Sequence, residues 1–85
     1  MFYVYVLESI HSKTRYVGTT NNLRRRLSDH NSGNGGKYTG RHGHYKLIYY
    51  EAYLGKKDAS QAEKFYKTGY GREILTGKLG NYLSQ

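Results

Sequence analysis

The 85-residue chain contains no cysteine, no proline and no tryptophan, and only 6 acids against 14 lysines and arginines. Without cysteine, a disulfide-stapled secreted domain, a thiolate zinc site and a cysteine nucleophile are all excluded. A two-metal centre needs several clustered carboxylates, and so few scattered acids favour one metal ion at most. Long apolar runs are also missing. The N-terminal MFYVYVLES is too short to span a bilayer, and it shows neither a basic n-region nor a small-residue cleavage pattern. A soluble, intracellular, cytoplasmic protein without a membrane partner is therefore expected.

What is present is equally informative. The length suits one domain over residues 1–85, burying roughly 60% of its unfolded surface around one small core. A net charge of +8 on so small a body points to a polyanion, most often nucleic acid. Eleven tyrosines can pack a core with their hydroxyls at its edge, or stack on bases.

Apolar periodicity gives the order strand, strand, helix, loop, strand, helix and helical tail. Residues 2–7 read as a strand with Tyr3, Tyr5 and Leu7 on one face and Val4 and Val6 on the other. Residues 16–19 form a second strand, joined to the first by a polar hairpin. Asn21 or Asn22 caps a helix over residues 23–30, which the run NSGNGG ends. A third strand covers residues 45–53. Asp58 and Gln61 look like a capping box for a helix over residues 59–67; Gly69 and Gly71 break it, and a shorter helix follows over residues 72–82. The fold class is α/β (α+β), a compact sheet-and-helix sandwich.

The first helix carries its charge in an unusual place. Leu23, Arg26, Leu27 and His30 share one face at i, i+3, i+4 and i+7, the face that meets the sheet, whereas Arg24 and Arg25 point outward. A charged residue on such a stripe either has a partner or snorkels to water. In the second helix, Ala59, Ala62, Glu63 and Tyr66 share a face, so Glu63 is an inward carboxylate or one half of a structural ion pair with an arginine. An inward arginine, an inward glutamate and a tyrosine face together suit phosphodiester cleavage. An arginine fork stabilises the scissile phosphate, a carboxylate holds one Mg²⁺ or Mn²⁺ whose shell is mostly water, and a phenol beside them acts as general base.

These residues carry a family likeness. Tyr3-Val4-Tyr5 followed by Tyr16-Val17-Gly18 resembles the paired tripeptides of the GIY-YIG nuclease superfamily, whose fold is a three-stranded antiparallel sheet flanked by helices. The spacing to Arg26, eight residues after Gly18, and to His30 four residues later is similar to that family. NNLRRRLSDHNSG, KYTG, KLIYYEA and AEKFYKTGYGRE resemble its small standalone members. The resemblance implies a metal-dependent DNA endonuclease, possible in repair or recombination. Tyr16 would be the general base, Tyr5 would orient water or phosphate, Arg26 would bind the scissile phosphate, and His30 would relay protons. Glu63 would be the single protein ligand of Mg²⁺ or Mn²⁺, and Asn81 matches a supporting polar position loosely. Tyr3 replaces the first glycine, and His44 stands where relatives often carry proline. With no separate DNA-targeting domain, targeting is expected from the domain itself, a monomer, or from a protein partner.

Arg24, Arg25, Lys37, Arg41, Lys64, Lys67 and Arg72 are candidate contacts to the DNA backbone, each weighed against an ordinary solvated charge. His42 and His44 suit a surface loop better than a metal site. Glu63 is the one carboxylate expected near the site; Glu8 and Glu51 are expected at strand ends, Asp29 on a helix surface and Asp58 at a cap. The alternative functional reading is a non-catalytic nucleic-acid-binding module. A protein-interaction domain and an RNA substrate are further possibilities.

Overall fold

The alternating FYVYVLES segment forms β1 (Phe2–Ser9), the central strand of a three-stranded antiparallel sheet in the order β2-β1-β3 in the computed structural model. The structure describes residues 1–32 and 44–85. β2 (Arg15–Thr20) pairs with β1 so that Tyr5 lies opposite Gly18 and Leu7 opposite Tyr16. β3 (Tyr45–Tyr53) pairs along the other edge, setting Tyr5 opposite Tyr50 and Val4 opposite Glu51. A bulge shifts that register between Val6 and Leu7. Both strands of the hairpin run longer than the pattern suggested, because Glu8 and Arg15 still pair beyond the apolar stretch.

Among the described residues the helices are α1 (Leu23–Asn31), between β2 and β3, and then α2 (Lys56–Tyr66), α3 (Gly69–Lys78) and the short α4 (Gly80–Leu83) after β3. The period-two pattern of β1 divides the core between the two faces of the sheet. Tyr5, Leu7 and Tyr45 pack with Tyr16, Leu23 and Leu27 beneath α1. Val4 and Val6 pack with Tyr66, Leu75 and Leu79 beneath α2 and α3. α1 begins at Asn22, whose side chain accepts from the Arg25 N–H at 3.0 Å. Its far end is fastened to β3 by Asn31, whose side chain donates to Tyr45 O at 3.0 Å and accepts from Tyr45 N at 2.6 Å.

Three expectations are corrected. Asp58 and Gln61 form no capping box: α2 starts earlier, with Gly55 at the cap, and Asp58 lies in its first turn. There its negative charge still favours the helix N-terminus. Gly69 and Gly71 open α3 instead of separating the helices; the break falls at Lys67–Thr68, and the Thr68 hydroxyl accepts from the Gly71 N–H at 3.0 Å. Glycine is required at 71 because a Cβ would lie 1.8 Å from the Phe65 carbonyl oxygen. The tail is two helices, not one over 72–82.

Glu8 and Glu51 lie near the ends of β1 and β3, as expected, but neither is a solvated charge. Glu8 is buried, accepts from the Tyr82 hydroxyl at 2.8 Å and pairs with Arg15 at 3.6 Å. Glu51 accepts hydroxyl bonds from Tyr49, Tyr53 and Tyr66, with Lys78 Nζ at 3.6 Å. Burial opposes charge on Glu51, but the three hydroxyls and the lysine outweigh it and hold the carboxyl below its usual range. The 33–36 glycines, Lys37, Arg41 and His42 lie outside the described residues.

Candidate active site

β1 and α1 create the site by pointing the wrong kinds of side chain inward. Tyr5 is central in β1 and 2% exposed; His30, in the last turn of α1, is 1% exposed. The Tyr5 hydroxyl and His30 Nε2 share a hydrogen bond of 2.9 Å. Arg26, one helical turn before His30, donates from Nε to the Tyr5 oxygen at a long 3.4 Å. Tyr16 on β2 closes the group, its ring centroid 4.9 Å from that of His30 and 6.3 Å from that of Tyr5. Tyr45 forms the wall behind the imidazole at 6.3 Å.

Gly18 is what lets Tyr5 occupy this position. A Cβ at 18 would lie 2.5 Å from the Tyr5 oxygen and 3.0 Å from Tyr16 Cε1. The glycine of the second tripeptide thus leaves room for the phenol across the strand pair.

Charge follows from this packing. Burial raises the Tyr5 pKa, partly opposed by its hydrogen bond from Arg26, so the phenol stays protonated at neutral pH. Burial, then the nearby Arg26 charge, lowers His30, which is therefore neutral near pH 7. The bond to Tyr5 raises Arg26 further and keeps its positive charge. His30 Nδ1 is buried and has no hydrogen-bond partner among the described residues.

Arg26 is partly open, with 31% of its side chain exposed, and has Asp29 at 3.9 Å. Asp29 is thus a second carboxylate near the site; its i, i+3 spacing from Arg26 is the signal that could have found it. Glu63, on α2, is 25% exposed and pairs with Lys67 Nζ at 3.0 Å. Its partner is this lysine and not an arginine. The Glu63 charge is felt at Tyr5, whose pKa it raises. β2 is an edge strand, so groups from the two layers can approach around it without crossing the sheet.

The donor chemistry of Glu63 fits a hard divalent cation: a single, partly exposed carboxylate. Among the described residues no three His, Asp or Glu side chains gather as a metal cage, so water would supply most of the shell. Arg24 and Arg25 are exposed on α1, as are Lys64 beside the end of α2, Lys67 just after it, and Arg72 on α3. Asn81 is exposed on α4.

The chain belongs to the GIY-YIG family, a nuclease family: the GIY-YIG catalytic domain matches residues 1–76. Family members generally depend on a divalent metal, and the family points to a DNA substrate. The chain is similar to a UPF0213 protein of Streptococcus agalactiae serotype V, 45% identical over 74 residues that cover 87% of this chain and 83% of the relative. A UPF0213 protein of Clostridium perfringens is 42% identical over 67 residues, 79% of this chain and 71% of that one. The solution NMR structure of a UPF0213 protein from Bacillus halodurans superimposes with a TM-score of 0.55 at 34% identity, covering 91% of this chain and 84% of that chain. No helix among the described residues is long and apolar enough to cross a membrane.

Proposed function

We propose that this chain is a DNA endonuclease that hydrolyses phosphodiester bonds with one Mg²⁺ or Mn²⁺ held at Glu63. The observation that carries the reading is the Tyr5–His30–Arg26 cluster, with Tyr5 and His30 buried and Arg26 partly open, hydrogen-bonded together against the Tyr16 ring. A structural cluster would have no need of a cation kept partly open to solvent.

In this reading the Arg26 guanidinium binds the scissile phosphate and stabilises the charge that grows on its oxygens. Tyr16 positions the attacking water and takes its proton while passing its own hydroxyl proton to the uncharged His30 beside it. Tyr5, protonated and fixed by His30 and Arg26, donates to a phosphate oxygen or to the water. The water oxygen bonds to phosphorus as the bond to the leaving sugar oxygen breaks, and that oxygen takes a proton from solvent water. The metal ion, when bound, supplies Lewis-acid stabilisation of the phosphate. Branched or damaged DNA of repair or recombination is the proposed substrate, cut inside the cell with or without a targeting partner.

The Lys67–Glu63 ion pair favours a second reading, a nucleic-acid-binding module whose carboxylate is already engaged. Labelled branched, flapped, nicked and duplex DNA incubated with Mn²⁺ or Mg²⁺ separates the two. Cleavage by the parent and its loss in folded Glu63→Ala supports the nuclease. Steeply salt-dependent binding with every DNA left intact supports the module.

A further inference from the structure

Between β2 and the junction of α2 with α3 runs a groove of about 540 Å³. It reaches Tyr16 at one side, so it adjoins the proposed site. Four cations line it: Lys13 and Arg15 from the hairpin, Lys67 from the end of α2, and Arg72 from α3. Arg15 and Lys67 are balanced by Glu8 and Glu63. Lys13 and Arg72 have no carboxylate partner among the described residues. The groove therefore carries uncompensated positive charge.

Its floor is of a different character. Val17 and Leu75, with the Tyr66 ring, give it apolar surface. The Tyr66 hydroxyl is turned to Glu51 on the inner side. A phosphate alone would leave such a floor against water, whereas a nucleotide offers both an anion and an apolar body. The volume lies within the roughly 300–1,000 Å³ typical of small organic ligands. That volume suits a single unpaired nucleotide rather than a base-paired duplex. Lys13 adds a further sign. It holds φ at 61°, where a lysine is disfavoured and glycine or asparagine is at ease. Observed backbone strain of this sort is a pointer to function.

We propose that this groove seats an unpaired nucleotide of the strand being cut, next to the phosphate held by Arg26. Lys13 and Arg72 take the flanking phosphates, and the base or sugar covers the Val17–Leu75 floor. The inference rests on the nuclease reading for its place beside the scissile bond, but its test is binding, which needs neither metal nor cleavage.

Fluorescence anisotropy of the metal-free protein with a labelled single strand, and with the same strand in duplex, provides the test. Lys13→Ala/Arg72→Ala is compared with Lys57→Ala, which lies ten residues before Lys67, about 15 Å along a helix. The double substitution is expected to weaken single-strand binding about tenfold at moderate salt and to reduce the log–log salt slope by about 1.4, the value for two lost phosphate contacts. Duplex affinity should change much less, and Lys57→Ala should leave both nearly as in the parent. Single-strand binding and slope unchanged in the double variant would overturn the assignment. So would an equal loss on duplex, which would mark general backbone contact. If the variant loses single-strand affinity while the parent cuts no DNA, the groove stands and the nuclease reading falls. Cleavage with unchanged binding in the variant means the reverse.

Discussion

Each face of the sheet sets a polar group among tyrosines, His30 buried and Glu51 half-buried, and the two groups are treated differently. Under α2 and α3, the Glu51 carboxylate accepts from three tyrosine hydroxyls and lies near Lys78. Under α1, His30 has one hydrogen bond, to Tyr5, and its Nδ1 has none among the described residues. Among the described residues, Tyr5 in turn receives a long bond from Arg26 besides its bond with His30. A satisfied network makes the fold specific and resists perturbation. An under-satisfied buried group is costly, and a fold retains it where bonding capacity is kept for another molecule. On the proposed reading, one face carries stability and the other carries the chemistry.

The largest expected effect belongs to the satisfied face. Glu51→Ala strands three tyrosine hydroxyls and should lower the unfolding free energy by about 3 kcal/mol, read from urea denaturation. Cleavage per folded molecule should stay near the parent value. Gly18→Ala should strike both properties, because the new Cβ would displace the Tyr5 ring. A loss of about 2 kcal/mol from overpacking is expected, with slower cleavage because Tyr5 and Tyr16 can no longer keep their places.

Acid should separate the faces further. Burial holds the folded His30 below its ordinary 6.5, so the unfolded chain takes up that proton first. Its contribution is full above about pH 6.5 and declines as pH falls through the folded value. Glu51 is held below 4.5, so its contribution is full above that pH and is lost only as pH falls through its own lower folded value. Stability measured against pH should therefore fall in two waves, with His30→Gln removing the upper and Glu51→Gln the lower. At the alkaline end Tyr53, pushed up to about 12 by Glu51, contributes below pH 10 and loses its contribution as pH rises above it. The smallest effect concerns Lys67→Met. Freeing Glu63 from an exposed i, i+4 pair should tighten Mn²⁺ binding only about twofold, measured by titration calorimetry.

Much of this division is legible in the chain. The alternation of β1 separates Tyr5 from Val4 and Val6, and the spacing of α1 places Arg26 and His30 on the inward stripe. β3 runs from Tyr45 to Tyr53, as its apolar pattern indicates. The Glu51 network is not legible, because Tyr66 and Lys78 reach it from helices 15 and 27 residues further along the chain. Only the register that sets Val4 opposite Glu51 fixes which face it takes. Nor could periodicity show that Gly55 would displace the capping pair at Asp58 and Gln61, or that Lys13 would line a groove. Those features depend on how α2, α3 and the hairpin meet, which local pattern does not encode. The steric role of Gly18 was indicated only by its place in a tripeptide; the reason is the phenol across the strand.

The most direct measurement is the single-turnover cleavage rate of Arg26→Ala beside its urea denaturation curve, on whichever DNA the parent cuts best. The open face predicts a rate lower by about 100- to 1,000-fold with stability close to the parent. A folded Arg26→Ala that cuts at the parent rate would contradict the assignment of chemistry to the Tyr5–His30–Arg26 cluster.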